Sequence, residues 1–333
     1  MLEITLMQRS VRKLLLATSL VFATSQSFAF EPAKSAECIA PANPGGGWDF
    51  TCRSVGKILS DLHYIDGNVQ TVNMPGAGGG VAYAHTVSKR EGDTALLVAA
   101  STATTTRLAQ GQFVGMNADQ VRWVGALGAD YGVIAVAKDS PYKNLNELME
   151  ALKNDPQSVK FGGGSAAGGW DHLKVLIAAK AAGVGNLPKI KYLAFNGGGE
   201  AITQVVGGHI QGFTGDVSEV LGFVESGDLR VLAVLSDERL PGQYADMPTA
   251  KEQGIEAIAP NWRGFYLPAG VPDDAFDWWT KTIDGVYESD NWKQVMQQNG
   301  LMPFHKSGPD FTAFVQQQVK DIRDLSTEIG LIK

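Results

Sequence analysis

Cysteine is almost missing from this chain: Cys38 and Cys52 are the only two among 333 residues. There are five histidines and none stands near those cysteines, so the ligand spacings of a zinc site are not met and no metal is expected. Basic runs are lacking as well. Twenty-eight Lys and Arg face 35 Asp and Glu, a net charge of −7, which argues against nucleic acid and anionic lipid as partners. No GxxxxGK[ST] occurs. Gly162–Ala167 does match GxGxxA, but a dinucleotide site also needs an acidic residue about 20 positions on, and Val184–Lys189 contains none. Ser165 stands in G-G-S-A-A rather than the G-x-S-x-G of a nucleophile elbow. A nucleotide-dependent enzyme and a serine hydrolase both lose their support. The expectation is a protein without catalytic residues or cofactor.

Long apolar runs are confined to the beginning. Arg9, Arg12 and Lys13 precede the apolar stretch Leu14–Ala23, and Ser27-Phe28-Ala29 follows as a small-residue cleavage site. This pattern reads as a secretory signal, with translation starting at Met1 or Met7, and the run is shorter than the ~20 residues that span a bilayer. Residues 1–29 are expected to be removed, leaving 304 of the 333 as a soluble protein in the periplasm. Removal takes away three basic residues and Glu3, moving the net charge from −7 to −9. Any anionic ligand must then be drawn by local dipoles rather than overall charge. In an oxidising compartment two cysteines suggest one disulfide, with two buried free thiols as the alternative.

Glycine, by contrast, is plentiful, with 39 residues. Cys38-Ile39-Ala40 reads as a buried strand ended by Pro41 and Pro44. Gly45, Gly46 and Gly47 follow, and Asp49 then opens a helical pattern at Phe50, Val55, Ile58, Leu59 and Leu62, as its expected N-cap. The same order recurs at PGAGGG (Pro75–Gly80), FGGGSAAGG (Phe161–Gly169) and FNGGGEA (Phe195–Ala201). Each turn aims free backbone N–H groups and the positive end of a helix at one spot, which suits an anion. Alternating strands and helices predict an α/β fold with a mainly parallel sheet in each of two lobes, and ligands at the carboxyl ends of the strands. One crossing between lobes is expected at Asp139-Ser140-Pro141 and an extended return at Pro260–Tyr266. The chain then reads as helical to its end.

The chain from Glu37 onward resembles the extracytoplasmic solute-binding receptors of tripartite tricarboxylate transporters. PGGGWD (Pro44–Asp49), PGAGGG, VAKDSPYKNLNELM (Val136–Met149), FNGGGEA, TGD (Thr214–Asp216), VLSDERLP (Val234–Pro241) and NWRGFYLPAG (Asn261–Gly270) carry the resemblance. It implies a periplasmic-binding-protein clamshell with two crossovers, lobe 1 being 37–137 plus 264–333 and lobe 2 being 138–263. It also implies a monomer that takes a small carboxylate and delivers it to integral membrane transporter subunits. Cys38, Cys52, GWDHLK (Gly169–Lys174) and Arg263 resemble the citrate-type branch. In such receptors backbone amides of facing loops hold one ligand carboxylate. Here those loops would be Pro44–Asp49 and Gly76–Gly79, opposed by Ser165–Gly168 and Asn196–Gly199.

The resulting candidate set is Gly45, Gly46, Gly47, Ala77, Gly78, Gly79, Ser101, Thr102, Ser165, Ala166, Asn196, Gly197, Gly198, Asp216 and Arg263. Ser101, Thr102 and Ser165 serve equally well as helix caps. Arg263 suits a further carboxylate bidentately, or a neighbouring surface acid. Asp216 is awkward beside an anion and reads also as a loop anchor. Trp48, Trp170 and Trp262 adjoin cleft segments, although packing explains them equally; His172 and His209 read as structural. The function expected is capture of a tricarboxylate. A dicarboxylate or other organic-acid receptor, and a ligand-loaded sensor that contacts a signalling protein, remain the alternatives.

Overall fold

A computed structural model describes residues 30, 34–45, 47–195 and 197–332; residues 1–29, expected to form a signal segment, and Gly46 and Asn196 lie outside them. The first unit is β1 (Ala36–Ala40), α1 (Gly47–Asp61) and β2 (Val69–Asn73). Cys38, Ile39 and Ala40 are buried, and α1 packs Cys52, Val55, Ile58 and Leu59 beneath them. Cys38 and Cys52 are joined in a disulfide with their Cα atoms 5.6 Å apart, so the strand and helix flanking the first glycine turn are covalently tied.

α2 (Gly80–Lys89), β3 (Leu96–Ser101) and α3 (Thr102–Ala109) follow. Next comes β4 (Val121–Ala137), one strand of 17 residues where the sequence reads as two, Arg122–Leu127 and Gly132–Ala137. Gly128, with φ of +152°, absorbs a register shift and lets the strand bend without ending. The second half of the chain supplies α4 (Leu145–Asn154), β5 (Lys160–Gly163), α5 (Trp170–Ala181), β6 (Lys191–Ala194), α6 (Gly198–Val206), β7 (Gly212–Asp216), α7 (Val217–Glu225) and β8 (Leu229–Val234). β9 (Pro260–Pro268), α8 (Asp273–Glu288), α9 (Asp290–Gln298), β10 (Met302–Ser307) and α10 (Gly308–Glu328) complete it.

The strands run in the order β2-β1-β3-β9-β4-β7-β5-β6, with β8 and β10 also paired to β4. Pairing is parallel at the flanks, where strand–turn–helix units repeat, and antiparallel around β4 and β9. The sheet is therefore mixed. β10 departs from the helical reading of the C-terminal region: MPFHKS lacks alternation and carries a proline, yet it pairs antiparallel with β4. From Val121 to Tyr131, β4 pairs with β9; from Gly132 onward it pairs with β7 and β8.

Of the apolar cores along this sheet among the described residues, two share a helix. Ile39, Leu96, Val98, Trp123, Trp262, Tyr266, Phe311 and Val315 form one, with Trp262 edge-on to Trp123 and Phe311. Leu148, Leu152, Phe161, Leu173, Leu176 and Leu232 centre the other. Helix α10 serves both, giving Phe311 and Val315 to the first and Ile322 and Leu325 to the second. Among the described residues no helix is long and apolar enough to cross a membrane.

Candidate functional site

The second half of the chain brings two glycine turns into contact. A Cβ on Gly164 would stand 2.8 Å from Gly198 N and 3.0 Å from Gly197 Cα, so only glycine permits the approach. Helices α5 and α6 start from these turns, with Gly169 and Gly197 as N-caps that carry no capping side chain, and among the described residues only the Asp171 N–H of α5 is taken up, by Ser165 Oγ. Their first N–H groups are thus unclaimed by the helices themselves. Gly164, Ser165, Gly169, Gly197 and Gly198 line one cleft of about 220 Å³. Ala103, Thr106 and Arg107 of α3 form its other wall, and Asn261 of β9, Asp216, Glu219, Asp171 and Trp170 complete it.

Of the expected residues, Ser165, Gly197, Gly198 and Asp216 meet in this cleft. Ser165 Oγ accepts the Asp171 N–H at 3.0 Å, in a helix-capping role. Ala166 is exposed and stands outside the lining. Gly46 and Asn196 lie outside the described residues.

Among the described residues no first-half glycine turn lines this cleft; Gly78 reaches it through Arg107, and Gly47 rests on Arg263, which is outside the lining. Gly78, at φ +62°, would place a Cβ 3.1 Å from Arg107 Nε, and Gly47 would place one 3.1 Å from Arg263 Nη1. Ala77 shares the left-handed turn at φ +49°. Gly79 packs on the Trp48 ring, and its N–H is already donated to Gly76 O at 3.0 Å. Trp48 Nε1 donates to Ser101 Oγ at 3.2 Å, which in turn accepts from the Ala103 N–H. Ser101 is a buried cap, and Thr102 donates to Pro260 O at 2.8 Å. Both hydroxyls are thus used inside the fold. Arg263 is half-buried and has no ion pair or hydrogen bond among the described residues.

Asp49 differs from its expected place. The helix begins at Gly47, so Asp49 sits in the first turn and not at the cap. Its Oδ2 accepts the Gly45 N–H at 2.9 Å, while Arg53 Nε and Asn73 Nδ2 donate to the same carboxylate. The Arg53 hydrogen bond, against the cost of burial, holds its pKa down at about 2. One amide of the first turn is therefore committed to shaping the turn itself.

Beneath the cleft lies a charged cluster. Lys174, fully buried, donates to Asp171 at 2.8 Å and to Asp216 at 2.5 Å. Burial opposes its charge, but the two carboxylates outweigh that and raise its pKa. Asp216 also accepts from Asn261 Nδ2 at 2.8 Å. That bond fixes the amide orientation, since a carboxylate only accepts, and leaves Asn261 Oδ1 buried without a partner among the described residues. Trp170 Nε1 is in the same state. Asp130, held by Ser218, is raised to about 8, first by burial and then by Asp216. Glu219, whose Oε2 accepts the Asp216 N–H at 2.9 Å, is raised to about 7 by enclosure and by Asp216. His172 accepts the Gly168 N–H, and burial lowers its pKa to about 4. These fixed charges explain Asp216: it anchors the floor.

Trp170, noted in the sequence beside a cleft segment, does line the cleft, whereas Arg107, Thr106, Asn261 and Glu219 were not among the expected residues. Only Arg107 carried a usable signal, as a cation closing a hydroxyl-rich helix that follows a buried strand.

A family model described as "Tripartite tricarboxylate transporter family receptor" matches residues 63–331. A UPF0065 protein of Bordetella pertussis is 22% identical over 309 residues, 90% of this chain and 91% of its own. Among solved structures, a TctC solute-binding protein from Polaromonas superposes with a TM-score of 0.74 at 23% identity, covering 88% of this chain and 98% of its own. MatC from Rhodopseudomonas palustris, solved with bound malate, gives 0.69 at 18% identity, covering 89% and 99%. The fold is that of the periplasmic binding proteins, as the resemblance implied.

Proposed function

The chain belongs to the tripartite tricarboxylate transporter receptor family, whose members are binding receptors and not enzymes, and we propose that it captures a tricarboxylate of citrate type in this cleft. The protein works in the periplasm after removal of residues 1–29. It hands the ligand to integral membrane transporter subunits as a monomer. The two lobes, 37–137 plus 264–333 and 138–263, close on the ligand.

The observation that carries this reading is the convergence of two helix starts with glycine N-caps, at Gly169 and Gly197, with the Arg107 guanidinium across one cleft. Backbone N–H groups take one carboxylate, Arg107 and Arg263 the others, and Asn261 Oδ1 accepts from a ligand hydroxyl. Charge-assisted hydrogen bonds of this kind are worth on the order of 1.5–3 kcal/mol each, enough together to hold a small polyanion on a protein of net negative charge. A dicarboxylate receptor is the second reading, favoured by the malate bound to MatC. Calorimetric titration with citrate, isocitrate, tricarballylate, malate and succinate decides between them. Tightest binding by the acids with three carboxylates supports the first; preference for the acids with two supports the second; silence from all five removes both.

A further inference from the structure

Glu219 lines the cleft with part of its surface open to solvent while its carboxyl group is enclosed by backbone, and it has no ion pair among the described residues. Two glycines make room for it: a Cβ on Gly198 would stand 2.2 Å from Oε1, and one on Gly215 would stand 2.5 Å from Oε2. Its carboxyl group therefore rests against Gly198, the first residue of α6, where an incoming carboxylate meets the start of that helix. Asp216 faces it from the end of β7, and Asp171 and Lys174 from α5. From α6 the neighbour is the Gly198 backbone; across the cleft stand Asn261 of β9 and Arg107 of α3. Asp130 of β4 is joined to the same helix start through Ser218. The one ammonium in this group, Lys174, is already held by Asp171 and Asp216. A ligand carboxylate and an ionised Glu219 in one corner would repel each other, with Lys174 already committed and Arg107 on the opposite wall.

We propose that Glu219 takes up a proton as the ligand enters and donates it in an O–H···O hydrogen bond to a ligand carboxylate, so that anion capture carries one proton with it. The inference rests on the carboxylate-receptor reading above. The proton comes from solvent, sits on a Glu219 carboxyl oxygen and returns when the ligand leaves; no covalent bond of the ligand forms or breaks. The empty site is poised for this exchange, because enclosure and Asp216 already raise the Glu219 pKa to about 7, and the negative charge of the ligand pushes it further the same way. Capture is consequently tighter in an acidified medium.

Calorimetry on the full chain with malate, succinate and tricarballylate, all fully ionised above about pH 7.5, tests the idea in two buffers of different ionisation enthalpy. The expected uptake at pH 8 is about half to one proton per ligand, with affinity falling up to about tenfold per pH unit above pH 7.5. Glu219→Gln keeps a donor that needs no proton. It is expected to bind tighter than wild type at pH 8.5, with no uptake and a flat profile. Zero uptake and a flat profile in wild type overturn the proposal while leaving a carboxylate receptor standing, and so does uptake that persists in the Gln variant. Absence of heat from all three acids in wild type overturns both. Should the variant fail to fold, the wild-type proton count decides alone.

Discussion

The guanidinium of Arg263 lies against the Cα of Gly47: a Cβ there would stand 3.1 Å from Nη1, 3.2 Å from Cζ and 3.3 Å from Nη2. Strand β9 sets this up, because its register places Arg263 opposite Ser101 of β3, the residue that also holds Trp48. An unpaired cation is thus braced on the first glycine turn, while Arg107 braces the second through Gly78. Arg263→Ala should weaken tricarboxylates by roughly 10- to 100-fold, as the loss of one or two charge-assisted hydrogen bonds implies, and weaken dicarboxylates less. Arg107→Ala should weaken both. Equal losses in calorimetry for the two classes on Arg263→Ala would count against its role.

Gly164→Ala puts a methyl group onto the Gly197 and Gly198 backbone, at 2.8–3.0 Å. The neighbours are main chain and cannot swing aside. The two turns must separate, and affinity should fall by more than tenfold while far-ultraviolet circular dichroism stays native. An unchanged dissociation constant would show that the contact between these turns does not shape the site.

The Cys38–Cys52 bridge closes a loop with a sequence separation of 14, for which loop-entropy arguments give about 3 kcal/mol. Because it ties β1 to α1 around Gly45 and Gly47, the double Cys→Ser variant should lose roughly 2–4 kcal/mol of stability. It should also bind more weakly than a loss of stability alone explains. Urea unfolding paired with calorimetry separates the two effects, and a bridge serving only stability would leave affinity intact.

Asp130 and Glu219 bind protons more tightly in the folded chain than in the unfolded one, their pKa values standing at about 8 and about 7. Their stabilisation is complete below the ordinary carboxylate range and is lost as pH rises through those values. Asp49, held at about 2, acts oppositely: its contribution is present above its ordinary 3.8 and vanishes as pH falls towards 2. Thermal stability should therefore decline from pH 5.5 to 8.5 in wild type and decline less in Asp130→Asn. Parallel curves would refute the assignment. Lys174→Met leaves Asp171 and Asp216 buried without their cation, and should cost about 3–5 kcal/mol, as broken buried pairs do.

The glycine corners were legible because a strand, a proline and a run of glycines before an apolar helical stripe leave few other readings. The disulfide followed from compartment and spacing. What stayed hidden came from pairing across distance. The Arg107 wall depends on how α3 crosses the cleft, and Asn261 gains meaning only from Asp216, 45 residues away. Glu219 reads from sequence as an ordinary first-turn acid of α7, which it also is, since it accepts the Asp216 N–H. The single strand β4 looked like two, Arg122–Leu127 and Gly132–Ala137, because Gly128 and Asp130 interrupt its apolar pattern, and only tertiary pairing bridges them.

15N spectra of protein labelled at glycine and arginine, recorded during titration with citrate and with malate, ask most directly whether main-chain amides hold the ligand. The account predicts large, saturable shifts of the Gly164, Gly197 and Gly198 amide signals, with the Arg107 and Arg263 side chains following. Saturable binding that moves the arginine signals and leaves those glycine amides in place would contradict it.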